Sequence, residues 1–75
     1  MEKNEVVACG DKLVGILEAL RAAGLAGATE YEKMHRACKD YYEHPAWDRY
    51  EKIVGFCHKI MTGEEVNWGD LYADR

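Results

Sequence analysis

Serine is absent from the 75 residues, so serine-hydrolase chemistry has no nucleophile. A glycine-rich phosphate loop is missing too, because the seven glycines are scattered singly. Cysteine is scarce: Cys9, Cys38 and Cys57 are an odd number, far apart, with no C-x-x-C spacing. That disfavours a secreted disulfide scaffold and leads us to expect reduced thiols in a cytoplasmic protein. No apolar run approaches the ~20 residues that cross a bilayer. The polar, acidic start from Met1 to Glu5 is expected to carry no signal peptide.

Positive charge is short as well. The net charge is −4, with residues 64–75 alone summing to −3 and only residues 46–63 net positive, at +1. A protein that tracks phosphates needs a basic face, so nucleic acid and anionic membrane are both disfavoured as partners. Length adds its own limit. A domain this small buries only roughly 60–65% of its unfolded surface, which leaves little room for an enclosed pocket. We expect no enzyme and no cofactor.

Strand patterns are lacking, since no stretch alternates for long and β-branched residues are sparse. What remains is helical periodicity. Val6, Cys9, Leu13, Leu17 and Leu20 recur at spacings of three and four, predicting a helix over residues 4–23 that Gly24 and Gly27 end. Gly10 and Gly15 lie inside it, where glycine costs ~1 kcal/mol against alanine and permits close backbone packing. Thr29 and Glu32 fit a capping box opening a second helix, residues 29–43, striped by Tyr31, Met34, Cys38 and Tyr41 or Tyr42. The only proline, Pro45, stops it and suits the first position of a third, residues 46–62, which Gly63 closes. Asn67 can cap one last short turn through Leu71 and Tyr72.

The predicted fold is therefore all-α. Residues 1–63 form a small three-helix bundle with a helix-turn-helix corner at Pro45, and residues 64–75 form an acidic-aromatic tail. The predicted core is Val6, Leu13, Leu17, Leu20, Tyr31, Met34, Cys38, Trp47, Tyr50, Val54, Cys57 and Met61. Stripes this wide exceed what three short helices bury, so a homodimer is expected.

Function is less legible. Residues 41–50 around Pro45 hold four of the eight aromatic residues. Tyr, Trp and Arg are the side chains that anchor protein interfaces. Helical phase assigns Trp47 and Tyr50 inward, leaving Glu43, His44, Asp48, Arg49 and one of Tyr41 and Tyr42 outside. A second surface is the tail, where Val66, Trp68, Leu71 and Tyr72 stand among acidic residues including Asp70, unless Trp68 and Tyr72 fold back over the bundle end as core. The reading is a non-enzymatic module of inhibitor, immunity, counter-defence or adaptor type, in the manner of small phage-encoded proteins. It would bind another protein through Tyr42, His44, Arg49, Trp68, Asp70, Leu71 and Tyr72.

Two other classes have some support in the residues. Glu32 and His35 form an E-x-x-H pair on one helix face, as di-iron bundles use, but such sites need two pairs, so a homodimer would have to complete this metal-binding alternative. His35, Cys38, Cys57 and His58 offer zinc-ligating types, yet neighbours such as Cys57 and His58 diverge by about 100° around a helix. The corner at Pro45 also invites a helix-turn-helix DNA-binding regulator, although Asp48 and Glu51 offset Arg49 and Lys52 where a recognition helix should be basic.

Glu43-His44-Pro45, with Asp48 after it, resembles a stretch of the helical colicin DNase immunity proteins, which are also small and acidic. Their longer aspartate- and tyrosine-rich binding segment has no counterpart here, and no fold, partner or site residue is carried over.

Overall fold

In a computed structural model, which describes residues 1–71 (Asp70 by its backbone only), the first helix, α1, runs from Lys3 to Ala22. Its start is held by a side chain reaching back: the Glu5 carboxylate accepts the Glu2 N–H at 2.8 Å. Glu5 in the first turn and Arg21 in the last complement the helix dipole. Gly24, at φ 74°, takes the left-handed turn expected of it, and the Leu25 and Ala26 amides both reach the Leu20 carbonyl. Ala26 is thereby driven fully into the core.

Helix α2, Ala28–Glu43, starts two residues earlier than the capping box requires. Gly27 is the N-cap and Thr29 lies inside the first turn, so its hydroxyl caps nothing and Glu32 is released from that role. The carboxylate that folds back over the N-terminus belongs to Glu30, 3.1 Å from where a Cβ on Gly27 would stand. Helix α3, Trp47–Thr62, is capped by Ala46, placing Pro45 outside the helix rather than at its first position. His44, just before that proline, leaves helical geometry at φ −134°, ψ 69°. Gly63, at φ 77°, closes α3, with the Glu64 amide bonded to the Lys59 carbonyl at 2.9 Å. A one-turn helix, α4, spans Trp68–Leu71, and the Asn67 side chain accepts the Gly69 N–H at 3.0 Å.

The protein is a small all-α three-helix bundle, and among the described residues no helix is long and apolar enough to cross a membrane. Leu13, Leu17 and Leu20 of α1 meet Met34, Ala37, Cys38 and Tyr41 of α2 and Ile53, Phe56 and Cys57 of α3. Tyr41 is the buried member of the tyrosine pair, and its hydroxyl donates to the Val6 carbonyl at 3.0 Å.

The α3 face departs from the predicted one. Trp47 and Met61 are 46% and 55% exposed, while Tyr50 and Val54 are only partly buried. Val6 and Tyr31 likewise pack at the margin. Residues 47, 50, 54, 57 and 61 and residues 53, 56, 57 and 60 are two stripes about a quarter turn apart. The second one wins because the C-terminal segment lies against it: Leu71 is buried, and the Trp68 ring meets Phe56 edge-on at 6.2 Å.

Candidate protein-binding site

The α2–α3 corner is built outward from Tyr41. Its ring touches Tyr42 (5.5 Å between centroids, 63°) and Tyr50 (6.3 Å, 51°), and Tyr50 meets Trp47 edge-to-face (6.1 Å, 85°). A ladder of four rings thus runs from the core to two solvent-facing ends, Tyr42 and Trp47. Gly10 is what lets Tyr42 settle: a Cβ at that position would collide with the phenol ring, so the helix–ring approach needs glycine. Gly15, by contrast, faces open space. Burial, and after it the charge of Asp11, pushes the Tyr42 hydroxyl above its usual pKa.

Beside the ladder lies an open cleft of about 380 Å³ lined by Asp40, Glu43, His44 and Arg49. His44 and Arg49 therefore come together as the sequence reading required. Tyr42 looks toward α1 rather than into that cleft. Asp40 was not singled out from sequence. Its signal was position, one turn before His44, whose amide bonds the Asp40 carbonyl at 2.9 Å. Trp47 was missed because it was assigned to the core. Asp48 and Glu51 stand exposed near it at the start of α3.

The tail residues fall elsewhere. Trp68 is half-buried against Phe56, with the Lys33 ammonium 5.1 Å from its ring centroid. Leu71 is 8% exposed, in a slot with Ala37, Tyr41 and Ile53. The side chain of Asp70 and all of Tyr72 lie outside the described residues.

Glu32 and His35 are exposed on α2, in a shallow groove shared with Tyr31, Arg36 and Lys39. The His35 ring leans on Tyr31 at 5.7 Å, and the two neighbouring cations oppose metal binding. Among the described residues, no three of His, Cys, Asp and Glu gather to hold a metal ion. Cys38 and Cys57 are buried while His35 and His58 are exposed, so the four zinc-type residues do not converge. Burial pushes the Cys57 thiol up to about 11. Cys38 rises to about 11 as well, through burial first and then the neighbouring Cys57. Thiols held protonated in this way are poor nucleophiles and poor ligands.

Compared with known protein families, characterised proteins and solved structures, the chain matches none.

Proposed function

We propose that the protein is a non-enzymatic binding module, of inhibitor, immunity, counter-defence or adaptor type, that docks another protein on its α2–α3 corner. The observation that carries this reading is the half-exposed Trp47, backed by Tyr50 and Tyr41 instead of folded into the core. Its ring is braced from behind, so a partner that covers it loses little side-chain freedom. Covering about 100 Å² of tryptophan surface at ~25 cal/mol per Å² is worth roughly 2–3 kcal/mol, the scale of an interface hot spot. Glu43, His44 and Arg49, which line the cleft at the same corner, would supply polar contacts that fix orientation. Free thiols at Cys9, Cys38 and Cys57 accord with a reducing compartment such as the cytoplasm.

Affinity capture followed by titration of the purified partner tests the proposal. Trp47→Ala should weaken the Kd tenfold or more, and Arg49→Lys less, with both variants retaining the wild-type helical spectrum. A partner whose Kd ignores Trp47→Ala binds somewhere else, and the corner assignment is then wrong.

A further inference from the structure

We propose that the groove between α2 and α3, now covered by residues 64–71, is a docking site for an acidic amphipathic helix of a partner protein. That helix would carry an aromatic residue and a leucine three positions apart, and the chain's own tail would compete with it for the groove. This deepens the protein-binding reading and rests on it for the existence of a partner.

The seated tail displays the chemistry the groove accepts. Trp68 lies edge-on to Phe56 with Lys33 above its ring, and Leu71 drops between Ala37, Tyr41 and Ile53. Residues three apart share one helix face, so a single turn delivers both anchors. The space left around Leu71 is about 10 Å³, barely the volume that one water requires. The slot is thus shaped for a leucine-sized group. Lys33, Arg49 and Lys52 line this side of the bundle together with Asp40 and Glu30, a small positive excess, and residues 64–75 carry a net charge of −3. Apolar anchors, walls of slight positive excess and an acidic occupant form a complementary set.

The occupant is held like a tethered ligand. Residues 64–67 have no regular secondary structure, and α4 is four residues long. A helix of one turn has no stability of its own, so it owes its form to the groove. Tethering supplies an effective concentration in the millimolar range, and a partner must exceed that to displace the tail.

The full-length protein, labelled with nitrogen-15, can be titrated with an unlabelled peptide of residues 64–71. Wild type, Trp68→Ala and Leu71→Ala are compared by amide shifts. In either loosened variant the amides of Ala37, Ile53 and Phe56 should move, with a Kd at least tenfold below the wild-type value. A peptide with the same composition but with its tryptophan and leucine adjacent should leave them still. Equal response in wild type and variants, or shifts confined to another face, would overturn the proposal. Collapse of both variants to unfolded spectra would overturn it too, because the tail would then be permanent core. So would a wild-type dimer in sedimentation that Leu71→Ala returns to monomer, since the occupant would be a second copy's tail. Only purified chain and peptide are used, so failure here leaves the Trp47 partner test standing, and the reverse holds as well.

Discussion

Trp47 and Trp68 each open a helix, and each sits among charged residues. Helical phase puts the first inside, while the second is expected either as a binding anchor or folded back over the bundle. In the structure Trp47 is 46% exposed, whereas Trp68 is half-buried on Phe56 under Lys33. What separates them is the ground they stand on. Trp47 stands on Tyr50, at the outer end of the aromatic ladder. Trp68 arrives on a short segment outside the three long helices, and it covers the Phe56 side of α3. A residue bound into a long helix takes the direction its helix dictates, while one on a short tail goes where burial is greatest.

Both tryptophans depend on one buried layer, and raising the pH should break it and the comparison together. Burial, chiefly, pushes the Tyr41 hydroxyl up to about 12, and Cys38 and Cys57 up to about 11. Each folded value lies above the ordinary one, so the native state holds protons that the unfolded state gives up. This stabilisation is complete below pH ~9, and it drains away as the pH climbs through the folded values. The expected outcome is a flat melting temperature from pH 6 to 8.5 and loss of the fold between about pH 10 and 12. Single-tryptophan variants sharpen the contrast: the Trp68 emission should shift far to the red, and that of the already wet Trp47 only slightly.

Tyr41→Ala removes the shared root at neutral pH. It strips the support from Tyr50 and one wall from the Leu71 slot, and should cost about 3–5 kcal/mol in urea titrations. Tyr41→Phe keeps the ring and loses the hydroxyl's bond to the Val6 carbonyl and its weak one to the Met1 sulfur, costing about 1 kcal/mol. If the two variants were equally damaging, the ring would not be the common support.

The tryptophans themselves come next. Trp68→Ala should destabilise by about 2–3 kcal/mol and Trp47→Ala by about 1 kcal/mol, measured by the same titrations. Reversed values would mean that the phase reading of α3 was right after all.

Much of this arrangement was legible beforehand. The leucine ladder of α1, the stops at Gly24, Pro45 and Gly63, and the Asn67 cap all rest on local chemistry, which a sequence displays. The face of α3 was not legible, because two apolar stripes a quarter turn apart compete there. Their contest is settled by a tail that only folding brings near Ile53 and Phe56. The Thr29 capping box failed for a related reason. Burial of Ala26 sets where α2 begins, and a matching motif two residues too late cannot override it. At the corner, His44 and Arg49 line one cleft, and Asp40 joins them there only because the chain reverses at Pro45.

The two inner glycines of α1 repeat the lesson of the tryptophans on a smaller scale. Gly10 and Gly15 look alike in sequence, each inside a helix where alanine is worth up to ~1 kcal/mol more. At Gly15 an added Cβ meets nothing within 4 Å, so Gly15→Ala should stabilise the protein by about 0.5–1 kcal/mol. At Gly10 the same methyl would strike the outer end of the Tyr42 ring, a half-exposed side chain that can swing away. The helix gain and the lost ring contact then nearly offset, and Gly10→Ala should fall within about 0.5 kcal/mol of wild type. Its mark would be elsewhere: the Tyr42 ring would be released toward solvent, and its hydroxyl pKa should fall back toward the ordinary tyrosine value. A spectrophotometric tyrosine titration of Gly10→Ala reads that change directly. An unchanged titration, with stability raised as much as by Gly15→Ala, would show that Gly10 makes no room for Tyr42.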